Sequence, residues 1–245
     1  MNLLILGGGT IVQQDTADNC SGYLLNRSLL FDCGPGIWKA LNQNSVSLDQ
    51  VNNIFLTHFH VDHTSDLGPI LLNKLLLPHL QKIPLSIIGP SGLTKWFSDL
   101  KKILGRWTDD LFINLFEMNM DPYQTGDHII TSENTGHTEK SICYRVEKNE
   151  DSFFYSGDSG YCEEVISLAN KCQLAVLEAS NTDKTHINEH LTPSLAGKIA
   201  ARAGVKKLLL THMYPEVLAG DPLKEASSYF SGEIILAREG MSLDF

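Results

Sequence analysis

Apolar strand-like runs alternate with helical stretches along most of this chain. Strands are predicted over 2–6, 22–26, 28–33, 53–57 and 85–88 in the first half. In the second half they fall over 111–117, 127–133, 141–147, 152–156, 173–178, 206–211 and 233–237. Helices are predicted over 36–44, 66–77, 91–104, 161–170, 192–203 and 222–230. Short β-rich hairpins open both halves and strand–helix units close both. Two similar halves of this kind pack as two sheets with helices outside. The helix over 192–203 carries its own punctuation. Thr192 is a suitable N-cap, Pro193 suits the first turn, and Gly204 follows the end. There is no low-complexity segment, linker or short-period repeat.

The run Thr57-His58-Phe59-His60-Val61-Asp62-His63 follows the strand-like stretch Asn53-Ile54-Phe55-Leu56. Imidazole and carboxylate are ligands that Zn²⁺ and its neighbours accept. An H-x-H-x-D-H spacing does not fit one helical face. At a strand end His58 and His60 point the same way. Asp62 and His63 fall past that end, where the chain turns and can aim at a second ion. The spacing therefore implies two metals.

Composition narrows the partners. The chain has 245 residues, 42% of them hydrophobic, enough for one large domain over 1–245 with a buried core. No apolar run is long enough for a membrane span. The first residues enter a strand without a positive leader, so a signal peptide is not expected. Cys20, Cys33, Cys143, Cys162 and Cys172 are odd in number and scattered, as expected of reduced thiols in a cytoplasmic protein. A net charge of −10 disfavours a long nucleic acid as substrate. It leaves a small phosphorylated molecule open, because metal ions supply local positive charge.

Three more motifs sit at strand ends. They are Thr135-Gly136-His137-Thr138, Tyr155-Ser156-Gly157-Asp158-Ser159-Gly160 and Leu210-Thr211-His212-Met213. The glycines beside Asp158 permit close backbone approach. With the first cluster, these residues complete two coordination spheres.

In this order the ligands resemble the metallo-β-lactamase superfamily of binuclear hydrolases. Leu6-Gly7-Gly8-Gly9-Thr10, Phe31-Asp32-Cys33-Gly34 and the Asp158 turn are similar to that family too, and the likeness spans nearly the whole chain. The resemblance implies an α/β fold, a four-layer αββα sandwich with the metals at one edge of the sheets. It assigns His58, His60 and His137 to one ion and Asp62, His63 and His212 to the other, with Asp158 bridging. Zn²⁺ is the expected metal, with Mn²⁺ or Fe²⁺ as alternatives. The first motif lacks the Glu of the di-iron redox branch, so hydrolysis is expected.

Glu189-His190-Leu191-Thr192 before helix 192–203, and Leu210-Thr211-His212 after it, resemble the ribonuclease Z-like phosphodiesterase branch. There the equivalent of His190 assists the leaving group or holds the phosphate. Asp66 also fits that branch. The implied activity is attack of metal-activated hydroxide on a phosphodiester, with His190 or Asp62 handling the proton. The alternative for His190 is a purely structural part in capping helix 192–203.

The chain departs from ribonuclease Z in one respect. Those enzymes carry a long arm that grips transfer RNA between the third His ligand and the bridging Asp. Here twenty residues separate His137 from Asp158. A small phosphodiester, such as a cyclic nucleotide or cyclic sugar phosphate, fits better than pre-tRNA. A ribonuclease that borrows a partner's surface, a hydrolase of a thioester, lactone or sulfate ester, and a non-enzymatic sensor are the other readings. Segment 64–120, with Leu67, Ile70, Leu71, Leu75, Leu76, Leu77, Trp96, Phe97, Trp107 and Phe112, is either a substrate wall or ordinary packing with a homodimer surface. Gly7-Gly8-Gly9 is expected to form a tight turn, Cys33 a packed thiol, and His79 and His128 surface or loop positions. His186 is expected in a solvated loop.

Overall fold

A computed structural model describes residues 1–12, 18–119 and 121–245. The first sheet is built from β1 (Asn2–Gly7), β2 (Gly22–Leu25), β3 (Leu29–Phe31), β4 (Asn53–Phe55), β5 (Leu85–Gly89) and β6 (Ile113–Glu117). The second contains β7 (Tyr123–Thr125), β8 (His128–Asn134), β9 (Ile142–Lys148), β10 (Asp151–Tyr155), β11 (Leu174–Glu178), β12 (Lys207–Thr211) and β13 (Glu233–Leu236). The last strand, β14 (Ser242–Asp244), returns to the first sheet. Strand orders are β14-β1-β2-β3-β4-β5-β6 and β13-β12-β11-β10-β9-β8-β7.

Both sheets follow one plan. Antiparallel pairing runs from β14 to β3 and from β7 to β10, and parallel pairing from β3 to β6 and from β10 to β13. Parallel neighbours need crossovers, and helices supply most of them. These are α1 (Ile37–Gln43), α3 (Leu67–Leu76) and α4 (Leu93–Leu104) on one side, and α5 (Glu163–Leu168), α6 (Pro193–Ala203) and α8 (Pro222–Ser227) on the other. Two single-turn helices, α2 (Val61–Thr64) and α7 (Pro215–Leu218), follow the histidine-bearing loops after β4 and β12. The N-terminal punctuation of α6 is as expected. Thr192 Oγ1 accepts the Leu195 N–H at 3.2 Å, and Gly204 is left-handed at φ 64°.

Strand side chains alternate between faces, which places them in three apolar layers. Phe153, Tyr155 and Leu209 point between the sheets, with Leu3, Ile5, Phe31, Phe55 and Tyr144. Their neighbours Phe154, Leu208 and Leu210 point outward under α5, α6 and α8. Leu24, Leu30 and Ile87 likewise meet α1, α3 and α4. With both faces covered, the parallel strands need apolar residues at consecutive positions. Each large side chain buried this way stabilises the fold by roughly 1.5–3 kcal/mol. Phe31 and Phe55 stack at 4.8 Å in the inter-sheet layer.

Several expectations need correction. Strand 111–117 was expected in the second half, but β6 begins at Ile113 and pairs with β5. Sequence order does not reveal which sheet an edge strand joins; the crossover through α4 does. The short β7 and β14 and the turns at 61–64, 106–110 and 215–218 were not anticipated, because three to five residues carry little periodicity. Gly7-Gly8-Gly9 makes no tight turn. It continues β1 in extended form, pairs Gly9 with Cys20, and leaves a Cβ on Gly7 only 2.0 Å from the Cys20 carbonyl oxygen. His128 is buried rather than superficial, and bonds Asn26 at 2.9 Å where the β2–β3 hairpin meets β8. His79 and His186 are exposed, and Cys33 is fully buried, as expected. No helix among the described residues is long and apolar enough to cross a membrane.

In segment 64–120, Leu67, Ile70, Leu71 and Phe97 pack into the core, with Trp107 against it. Leu76 and Phe112 are exposed, and Leu75 is half-buried. Trp96 stacks on Phe59 at 4.8 Å, beside the histidine cluster.

Candidate metal centre

The predicted ligands converge at one edge of the sandwich, where the strands end. β4 leads to His58 and His60, α2 carries Asp62 and His63, and the loops after β8, β10 and β12 carry His137, Asp158 and His212. Crevices outside the carboxyl ends of parallel strands are where open α/β sheets bind ligands.

Three groups of donor atoms lie within 4.8 Å of one another: His58, His60, His137 and Asp158; Asp62, His63 and His212; and Asp158, Glu178 and His190. Asp158 joins the first two. Its Oδ2 is 3.9 Å from His58 Nε2 and 3.7 Å from His137 Nε2. Its Oδ1 is 3.2 Å from His63 Nε2 and 3.5 Å from His212 Nδ1. His212 Nε2 is 3.4 Å from Asp62 Oδ2, and His60 Nδ1 is 3.3 Å from His137 Nε2. Zinc–nitrogen bonds of ~2.0–2.1 Å in tetrahedral array place two donors about 3.3 Å apart, so this last spacing suits a shared cation.

The chemistry of the donor set fits divalent cations. His58 Nε2, His63 Nε2 and Asp158 Oδ1 are buried and have no hydrogen-bond partner among the described residues. The 3.2 Å approach of His63 to Asp158 lacks bonding geometry. Native interiors rarely leave buried polar atoms unpaired, and three in one cluster mark a place for a ligand.

A second tier of residues aims the histidines. Asp32 is fully buried and bonds His63 Nδ1 at 2.7 Å. The same carboxylate accepts from the Thr57 N–H at 2.8 Å, Thr57 Oγ1 at 2.9 Å and the Tyr155 hydroxyl at 2.7 Å. Thr57 Oγ1 also meets His58 Nδ1 at 3.1 Å, the Glu189 carbonyl meets His137 Nδ1 at 3.0 Å, and Ser180 Oγ meets His212 Nδ1 at 3.0 Å. With Nδ1 engaged, the Nε2 atoms of His58, His63 and His137 turn to the centre. Asp32 and His212 hold left-handed backbones at φ 54° and 53°, the kind of strain that clusters at functional sites.

Electrostatics agrees with this arrangement. Burial pushes the His58 imidazole well below its usual pKa. Burial acts the same way on His63, but Asp158 and Asp32 outweigh it and hold that imidazole well above. Burial opposes ionisation of Asp158, yet His212 and His63 keep its carboxyl well below the carboxylate range. Asp62 behaves alike, drawn down to about 2 by the His212 contact against its own burial.

His190 borders the cluster. Its ring lies 4.6 Å from that of His137, and its Nδ1 meets Glu178 Oε1 at 2.7 Å. Glu178 is 1% exposed, at the end of β11, and also accepts from the Ser159 and Ser180 N–H groups at 2.9 and 3.0 Å. Burial lowers the His190 pKa, but Glu178 outweighs it and raises the net value. His190 caps nothing; Thr192 does so itself. Asp183 ties the loop down by accepting from Thr192 Oγ1 at 2.5 Å and Ser194 Oγ at 2.7 Å. Asp66 does not reach the centre. Its Oδ2 accepts the Trp38 N–H at 2.8 Å and holds the start of α1. The sequence reading missed Glu178, and it read Asp32 only as part of a turn. An acid at the end of an apolar strand was the available signal for both.

Close backbone packing sets the register of α2. Cys33 N–H donates to the His63 carbonyl at 2.8 Å, and a Cβ on Gly34 would lie 1.9 Å from the Asp62 carbonyl oxygen. Gly34→Ala is expected to destabilise the protein by about 3 kcal/mol through overpacking and to weaken metal binding with it. Thermal unfolding and metal titration of the purified variant check this.

Comparison with known proteins points the same way. The probable metallo-hydrolase YhfI of Bacillus subtilis is 30% identical over 230 residues, covering 90% of each chain. A crystal structure of YhfI superposes with a TM-score of 0.85 at 26% identity, over 99% of this chain and 98% of that one. A ribonuclease Z of Methanothermobacter thermautotrophicus is 26% identical over 251 residues, 81% of each chain. The model of the beta-lactamase superfamily domain matches residues 27–213. With a His/Asp cluster at the edge of an αββα sandwich, this chain belongs to the metallo-β-lactamase superfamily.

Proposed function

We propose that this chain is a binuclear metal-dependent phosphodiesterase of small substrates. The carrying observation is His190, held beside the donor cluster by the buried Glu178 through Nδ1 at 2.7 Å, which leaves Nε2 as the nitrogen not committed to Glu178. In the proposed site His58, His60 and His137 would hold one cation and Asp62, His63 and His212 the other, with Asp158 offering one oxygen to each group. Divalent cations there, Zn²⁺ in the first instance, supply an ionised water near neutral pH and positive charge against the phosphoryl oxygens.

The chain's own residues do the rest. Asp158 faces both halves and fixes their separation. Asp62 is placed to take the proton that this water gives up on ionisation. His190 donates its Nε2 proton to the departing alkoxide as the P–O bond breaks, and Glu178 stabilises the cation before transfer. A cavity of about 310 Å³ opens over His58 and His60, walled by Phe59, Pro90 and Lys140. A hydrolase without a difficult leaving group to protonate has less use for the Glu178–His190 pair, which favours a phosphodiester over a thioester.

The relatives named ribonuclease Z raise the tRNA reading. Between His137 and Asp158 this chain folds as the β9–β10 hairpin, with Lys148 paired to Asp151 across its turn. That leaves no arm to grip tRNA, and the charge of −10 repels a polynucleotide. The test is a panel on metal-loaded protein: bis-p-nitrophenyl phosphate, 2′,3′- and 3′,5′-cyclic nucleotides, a thioester and a pre-tRNA. Turnover of one or more small phosphodiesters, and of neither the thioester nor pre-tRNA, is expected. Turnover of the thioester alone would refute the proposal.

A further inference from the structure

A second cavity, of about 450 Å³, lies on the His212 side of the centre, away from the one over His58 and His60. Ser180, Asn181, Thr182, Thr185, Tyr214 and Glu216 line it. Ser180 forms the partition, since its hydroxyl is committed to Glu178 Oε2 at 2.5 Å and to His212 Nδ1 at 3.0 Å. The Tyr214 ring lies 6.5 Å from that of His190 and 6.2 Å from that of His212. Tyr214, in the cavity wall, therefore stands beside both of these rings.

Its lining is chemically specific. Asn181 is 9% exposed, and its Oδ1 is buried with no hydrogen-bond partner among the described residues. A buried acceptor left unpaired in a cavity wall calls for a donor from a ligand. Thr182 and Thr185 bond each other through their hydroxyls at 3.0 Å and accept each other's backbone N–H, which leaves one lone pair and one O–H between them to offer. Tyr214 and Pro215 add a flat apolar surface. No cation among the described residues lines the cavity, and Glu216 would repel an anion. A body that donates and accepts hydrogen bonds, carries no negative charge and has a flat ring satisfies every one of these groups.

We propose that this cavity is the subsite of the departing alcohol and that it takes an uncharged nucleoside, with a ribose hydroxyl or base N–H donating to Asn181 Oδ1. The proposal rests on the phosphodiesterase reading and deepens it. The substrate is then a diester with two bodies, one on each side of the phosphorus, and the P–O bond to the body in this cavity breaks, its oxygen taking the His190 proton. An acyclic dinucleotide meets that description, whereas a cyclic nucleotide fills only one side.

The test has a binding arm and a rate arm. Adenosine binding, measured by calorimetry, is expected to weaken about tenfold in Asn181→Leu, the cost of one lost buried hydrogen bond. Asn181→Asp, which keeps an acceptor, is expected to stay within about threefold of wild type. On metal-loaded protein the ratio of kcat/KM for ApA to that for bis-p-nitrophenyl phosphate is expected to fall about tenfold in Asn181→Leu. Adenosine that fails to bind wild type, or binds Asn181→Leu equally well, overturns the subsite even if diesters are cleaved. Asn181-dependent binding of adenosine without cleavage of either diester upholds the subsite and overturns the phosphodiesterase reading instead.

Discussion

Asp158→Asn is expected to lower kcat/KM on bis-p-nitrophenyl phosphate by about 10³-fold or more and to leave less than two metal equivalents per chain. Asp158 presents one oxygen to His58 and His137 and the other to His63 and His212, so it spans both halves of the donor cluster. The amide keeps the shape and removes the charge. In the proposed binuclear site two cations would then lack the anion that screens them, and the more weakly held one would leave. Elemental analysis beside the rate measurement separates loss of metal from loss of fold, which circular dichroism monitors. A variant that retained two equivalents and wild-type rate would remove Asp158 from the site.

His190→Ala has the second-largest expected effect, a fall in kcat of about 10²–10³ with metal content unchanged. The loss should depend on the leaving group. An alkoxide needs a proton, so the fall is full for a dinucleotide. p-Nitrophenolate leaves unaided, so bis-p-nitrophenyl phosphate suffers far less. Equal losses on both substrates would make His190 a binding residue rather than an acid.

The pH profile carries the same information. Burial lowers the His190 pKa, Glu178 raises it by more, and the net shift is upward. A general acid must be protonated, so rate falls as pH rises through that raised value. Glu178→Gln removes the partner charge and is expected to move the alkaline limb to lower pH. For stability, the Glu178–His190 pair contributes fully below the unfolded His pKa of about 6.5 and its contribution is lost as pH rises through the raised folded value.

The sequence revealed the donor set more readily than its support. His58, His60, Asp62 and His63 stand out because polar residues at that spacing break an apolar pattern. His137, Asp158 and His212 follow because each ends a strand that the period-2 pattern marks. Glu178 was hidden by its context: one acid closing the run Leu174-Ala175-Val176-Leu177 reads as the point where a strand meets solvent. Only the fold shows that it is buried and faces His190. Asp32 was hidden in the same way, since its four donors come from positions up to 123 residues distant. The orphaned acceptor of Asn181 is invisible in sequence, because exposure in a polar loop is the ordinary fate of Asn. Sheet membership was also unreadable for β6 and β14, whose places are set by a crossover and by a chain return rather than by residues of their own.

The central claim is that seven side chains hold two cations around Asp158. Anomalous diffraction from crystals grown with Zn²⁺, collected on both sides of the zinc edge, tests it most directly. Two peaks about 3.5–4 Å apart are expected, one among His58, His60 and His137 and one among Asp62, His63 and His212, with Asp158 between them. A single peak, or two peaks of which either lies outside these residues, would contradict it.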